Sequence, residues 1–111
     1  DIPQLCEEAE RLGLDVFSPT QPGFGLSSAF PLDKVRTLSE WPADIELILA
    51  QEGIGDFYVS GYSAGGVHAL TIANAYVDRV LGAGVFAPTT PLAVERAQSK
   101  GQMALPSLFV R

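Results

Sequence analysis

Six consecutive residues carry the chemistry this chain could do: Gly61-Tyr62-Ser63-Ala64-Gly65-Gly66. They fit a G-x-S-x-G pattern, follow the apolar run Phe57-Tyr58-Val59 and open a segment that reads as a helix. A serine on a sharp strand-to-helix turn projects its hydroxyl away from the backbone. Such a turn forces a strained backbone angle and brings neighbouring chain close. Gly61 and Gly65, two before and two after the serine, remove the side chains expected to clash. The helix N-terminus offers free backbone N–H groups to a developing negative charge. A hydroxyl in that place becomes a nucleophile once a base takes its proton. Ser63 is therefore the candidate nucleophile. Ala64, next in the chain, is the candidate oxyanion donor through its backbone N–H. In a chain with 11 glycines the pattern alone is a weak signal. The strand before it, the helix after it and the third glycine, Gly66, supply the context.

The other reactive side chains fit a triad poorly. His68 is the only histidine. It lies five residues past Ser63, about 7 Å along a helix axis and at another azimuth. A base must come within about 3 Å of the hydroxyl, so His68 reads as a packed helix residue. Asp33, Asp44, Glu46, Asp56, Asp78 and Glu95 are the carboxylates weighed as acids. Asp44 and Glu46 lie off the apolar stripe of their helix, and Asp78-Arg79 reads as a solvated turn pair. Glu95, several residues past the last strand, is the least unsuitable. Cys6 is the only cysteine, so no internal disulfide forms and nothing marks an oxidising compartment. Its place on a helical face reads as a small buried residue. No Cys/His/Asp cluster has metal-ligand spacing, and no cofactor is expected. Gly23-Phe24-Gly25 lacks the third glycine and the helix start of a dinucleotide site.

The elements that would position Ser63 follow from periodicity. Residues 2–12 read as a helix, with Leu5, Ala9 and Leu12 on one face, Asp1 as a cap and Gly13 past its end. Leu14–Ser18 reads as a short buried strand, stopped by Pro19 and Pro22. An irregular loop runs on to about Arg36. A second helix spans about Ser39–Glu52, with Ser39 at the N-cap and Pro42 in the first turn. Trp41, Ile45, Ile48 and Leu49 make its apolar stripe. Asp56–Ser60 is the second strand. Ala64–Tyr76 is the third helix, with Gly65, Gly66, Ala69 and Ala73 small enough to lie close on a sheet. Val80–Ala87 is the third strand, ended by Pro88. Pro91 to about Gln102 reads as a further short helix. Short apolar strands alternating with helices predict an α/β fold of three layers, a parallel sheet with helices on both faces.

Three motifs in this order resemble the central part of an α/β-hydrolase. Thr20 to Ser27 resembles the D-x-P-G-x-G-x-S loop of many members, with Thr20 where the acid usually stands. Gly61 to Gly66 resembles the nucleophile elbow. Arg79 to Pro88 resembles the R-V-x-x-x-V-x-x-x-P strand that follows the elbow helix. The resemblance covers residues 1 to about 92 and implies a partial α/β-hydrolase fold. It implies a serine hydrolase acting on ester, amide or similar acyl bonds of a small-molecule substrate, through an acyl-enzyme. The alternative is a non-catalytic binding domain of the same fold. The family's first oxyanion donor, catalytic acid and catalytic histidine would lie outside this chain. The chain is accordingly expected to be a piece, 1–111, of one α/β-hydrolase domain of a longer parent, with residues 93–111 starting a cap or lid. The resemblance also implies a topology. Val80–Ala87 should pair in parallel with Asp56–Ser60. A strand preceding residue 1 should sit between Asp56–Ser60 and Leu14–Ser18.

Length and charge agree with this reading. The 111 residues allow one domain, and an apolar fraction of 47% suits a globular core. Net charge is −6 and the seven basic residues are scattered, which argues against a nucleic-acid surface. The apolar runs fall far short of the ~20 residues of a membrane span.

Overall fold

The computed structural model describes residues 2–29, 31, 33, 34 and 36–88. It divides into two compact units, the first ending at Arg36 and the second beginning at Thr37. The proposed cap at Asp1, the helix at Pro91–Gln102, Glu95 and the cap or lid region lie outside the described residues.

In the first unit, α1 spans Ile2–Arg11. It closes as a glycine-terminated helix should. Gly13 takes φ 67°, which a side chain would resist. Its N–H then reaches Glu10 C=O at 3.0 Å, and Leu14 N–H reaches Ala9 C=O at 2.9 Å. The burial expected of α1 is not found. Ala9 is buried, but Leu5 and Leu12 are exposed, as is Cys6. Leu14–Ser18, read as a buried strand, is exposed and has no ladder partner among the described residues. The expected topology puts its neighbouring strand before residue 1, so the burial is corrected and the missing ladder does not contradict the strand. Within this unit a single helix beside one unpaired stretch supplies no second layer of its own for an apolar stripe. The following loop is closed by its own bonds. Gly23 N–H donates to Ser28 C=O at 2.9 Å, and Ser27 Oγ donates to Thr20 C=O at 2.9 Å. Residue 20 contributes a backbone carbonyl there, so that bond does not depend on an acid at the position.

The second unit holds the site. A 3-10 turn at Leu38–Glu40 leads into α2, Trp41–Gln51. Thr37 caps the 3-10 turn, with Glu40 reaching back to accept Thr37 N–H at 2.7 Å, and the N-cap of α2 is Glu40 rather than Ser39. Trp41, Ile45 and Leu49 are buried at a spacing of four. Gly53, at φ 66°, ends α2 as Gly13 ends α1, and Ile54 N–H returns to Leu49 C=O at 2.8 Å. Strand β1, Phe57–Tyr62, is followed by helix α3, Ala64–Ala75, and strand β2, Val80–Phe86. The strands pair in parallel, Tyr58 opposite Gly82 and Tyr62 opposite Phe86. The expected ladder between these two strands is therefore present, in a β-α-β unit of the α/β class.

The core lies between α2, α3 and one face of the sheet. Trp41, Ile45, Leu49 and Ile72 form its centre, with Ile48, Ile54, Phe57, Val59 and Tyr76 packed around them. Each large apolar side chain so buried contributes about 1.5–3 kcal/mol. Strand alternation puts Tyr58, Ser60 and Tyr62 on the opposite face, where they are exposed. Both helices of this unit thus serve one side of the sheet, and α1 belongs to the other unit. The face α3 turns inward is Gly66, Ala69 and Ile72. That is the small-residue face expected, rotated slightly toward Ile72.

The Asp78-Arg79 pair is not a solvated turn. Asp78 is exposed, but the Arg79 guanidinium is half-buried and staples the chain. It donates to Gly55 C=O at 2.9 Å, to Ile54 C=O at 2.7 Å and to Glu46 at 2.9 Å. It also lies 5.5 Å from the Tyr76 ring centroid. Tyr76 in turn donates its hydroxyl to Pro42 C=O at 2.7 Å, tying the end of α3 to the start of α2. Partial burial first, then the Glu46 carboxylate, raises the Tyr76 pKa above 10.0.

Candidate active site

Ser63 stands where β1 ends and α3 begins, as its N-cap. A serine at an N-cap ordinarily has extended backbone and accepts an N–H of the first turn with its side chain. Ser63 does neither. Its φ is 54° and its ψ −122°, and its hydroxyl makes no capping bond. Such backbone costs on the order of 1–3 kcal/mol in a non-glycine residue and persists only where the surroundings over-determine it.

Those surroundings can be named. Ser63 N–H donates to Phe86 C=O at 2.9 Å, extending the parallel ladder one step past Tyr62. Ser63 C=O accepts Gly66 N–H at 3.0 Å, which winds the first turn of α3. The chain entering and the chain leaving the turn pass very close. A Cβ on Gly61 would collide with the Gly65 carbonyl and stand 2.8 Å from Gly66 N. Gly61 is thus required on steric grounds. Gly65 is not: a Cβ there meets nothing within 4 Å. The expectation that both glycines remove a clash holds for the first alone. The third glycine has the steric role instead. A Cβ on Gly66 would stand 3.0 Å from both Pro88 Cβ and Val85 Cγ1, so its absence sets how closely α3 approaches β2.

The arrangement leaves the first N–H groups of α3 beside the serine. Ala64 is the first residue of the helix, and its N–H has no place in the i to i−4 pattern. It stands next in chain to a hydroxyl not spent on capping. An uncapped hydroxyl on a half-buried serine, an adjacent amide outside the helix pattern and the positive end of a helix are what attack on an acyl group requires of the nucleophile's side.

The remaining side chains weighed from the sequence go elsewhere. His68 packs edge-on against Trp41, with ring centroids 5.4 Å apart and Nδ1 shielded from solvent. Glu46 pairs with Arg79, while Asp33, Asp56 and Asp78 are exposed. Asp44, half-buried, lies in the first turn of α2. Among the described residues no group of three His, Cys, Asp or Glu could hold a metal ion. Among the same residues no helix is long and apolar enough to cross a membrane. Two features escaped the sequence reading: the carbonyl of Phe86, which holds the serine amide, and Ala87, whose φ is 43°. Neither has a sequence signal, and an alanine before proline predicts extended backbone.

Comparison with curated proteins and with solved structures gave no significant match. A family model described as the alpha/beta hydrolase fold matches residues 2–110. That alignment takes in the proline-glycine loop, the strained serine turn and the strand beside it, and the chain belongs to the α/β-hydrolase fold family.

Proposed function

We propose that this chain is the central part of a serine hydrolase, with Ser63 as nucleophile and the Ala64 N–H as one oxyanion donor. The observation that carries the reading is the Ser63 backbone, φ 54° and ψ −122°, at a strand-helix junction. An N-cap serine with no catalytic task would have the relaxed capping geometry at lower cost. The substrate is a small molecule with an ester, amide or similar acyl bond. Ser63 Oγ attacks the acyl carbon while a histidine of the parent protein takes its proton. Negative charge develops on the carbonyl oxygen, against the Ala64 N–H and a second donor. The leaving group departs with that proton, and an acyl-serine remains. Water, activated by the same histidine, then releases the acid and restores Ser63. The histidine, its carboxylate partner and the second donor are assigned to parts of the parent outside this chain.

The test is Ser63→Ala in the parent protein, assayed on a short p-nitrophenyl ester. Loss of kcat on the order of 10⁶, with the unfolding midpoint unchanged, supports the assignment. A variant retaining a tenth of the activity refutes Ser63 as the nucleophile, whereas a parent protein with no esterase activity favours the binding role.

A further inference from the structure

Among the described residues, two that are not glycine have left-handed backbone, and they sit at adjacent strand ends. Ser63 follows β1 at φ 54°, and Ala87 follows β2 at φ 43°. Tyr62 pairs with Phe86, so the two strained residues are next in register. The strain at Ser63 has its reason in the turn it makes. Ala87 has no such reason of its own. It is exposed, carries only a methyl group and precedes a proline, a position that favours extended backbone.

The neighbours of Ala87 show what its turn does. On one side, Phe86 C=O holds Ser63 N–H at 2.9 Å. On the other, Pro88 covers the notch left by Gly66: a Cβ there would stand 3.0 Å from Pro88 Cβ and 3.3 Å from Pro88 Cα. Gly66 is itself bonded through its N–H to Ser63 C=O. One short segment therefore grips the serine amide with residue 86 and the first turn of α3 with residue 88. Extended backbone at residue 87 would carry the chain on without the change of direction between the two grips.

We infer that Phe86–Pro88 is a clasp, latched by the left-handed turn at Ala87, that holds Ser63 in its strained conformation. Ala87 is thereby a positioning residue for the nucleophile. The catalytic half of this inference rests on the reading of Ser63 given above. The Ser63 hydroxyl makes no bond to the helix, so its backbone aims it. Misplacing a reacting group by about 1 Å costs on the order of 10²-fold in rate.

The experiment compares Ala87→Val with Ala87→Gly in the parent protein. Valine at positive φ is a steric outlier, whereas glycine adopts it freely. Because residue 87 is exposed, neither exchange disturbs the core. Three quantities are read: hydrogen exchange at the Ser63 amide, labelling of Ser63 by a fluorophosphonate, and kcat and KM on p-nitrophenyl acetate. In Ala87→Val the amide should exchange about tenfold faster or more, since its bond to Phe86 opens locally. Its kcat should fall about 10- to 100-fold with KM within about twofold, and Ala87→Gly should match the wild type. Unchanged exchange in Ala87→Val overturns the clasp whatever the kinetics. Faster exchange with undiminished kcat, in a protein that labels at Ser63, overturns the positioning role. If the parent does not label at Ser63, the nucleophile reading fails, and the exchange comparison alone decides the clasp.

Discussion

Two glycines that look equivalent in the motif should respond oppositely to the same methyl group. A Cβ on Gly61 would collide with the Gly65 carbonyl and lie 2.8 Å from Gly66 N. These are backbone atoms, fixed by the Gly66 N–H bond to Ser63 and by the packing of Gly66 on Val85 and Pro88. No side chain can rotate out of the way, so α3 must lift from the end of β1. Overpacking costs about 1–3 kcal/mol in general, and a backbone obstacle puts Gly61→Ala near the upper end. Gly65→Ala meets open space. It lies in the first turn of α3, where alanine gains up to about 1 kcal/mol over glycine. The two variants should differ by about 3–4 kcal/mol. The assay is urea unfolding of the parent protein. With m of about 1–3 kcal/mol/M, Gly61→Ala should lower the midpoint by about 1–3 M and Gly65→Ala should leave it level or raise it. A Gly61→Ala midpoint equal to wild type, or a Gly65→Ala loss as large, would show that the close passage at the turn is wrong.

Arg79 should act mainly through the carbonyls of Ile54 and Gly55, because its ion pair with Glu46 is part-exposed, 30% and 45% for the two side chains. Arg79→Met should cost about 1–2 kcal/mol and Glu46→Gln less than about 1 kcal/mol; equal losses in urea unfolding would put the effect in the ion pair instead. The raised Tyr76 pKa makes a claim about alkaline pH. Its phenol binds its proton more tightly folded than unfolded, so its contribution is fully present below the unfolded value of 10.0. That contribution is lost as pH rises through the higher folded value. Tyr76→Phe should cost about 1 kcal/mol at neutral pH, through the bond to Pro42, and should flatten the fall of the unfolding midpoint above pH ~10. An alkaline fall as steep in the variant would assign it to other groups.

The parts legible in the sequence are those fixed by local rules. The apolar spacing of Trp41, Ile45 and Leu49 set the inner face of α2. The run from Phe57 to Gly66 announced a strand, a serine turn and a helix, and the serine turn is there with strained backbone. What the sequence hid depends on partners distant in the chain. Leu14–Ser18 has strand composition, but a strand exists only against a neighbour. Cys6 and Leu5 lie at helix positions read as inward, yet burial needs a second layer. Arg79 looked like a surface charge, because its carbonyl acceptors at residues 54 and 55 are bonded to nothing the sequence displays. Gly65 looked like a steric glycine by symmetry with Gly61, and only the path of the backbone separates them.

The central claim is that the strained turn presents a reactive serine. Its most direct measurement is intact-mass and peptide mapping of the parent protein after treatment with a fluorophosphonate, with Ser63→Ala alongside. The account predicts one phosphonyl group per chain, located on Ser63, and none in the variant. Equal labelling of the variant, or labelling at another residue, would contradict it.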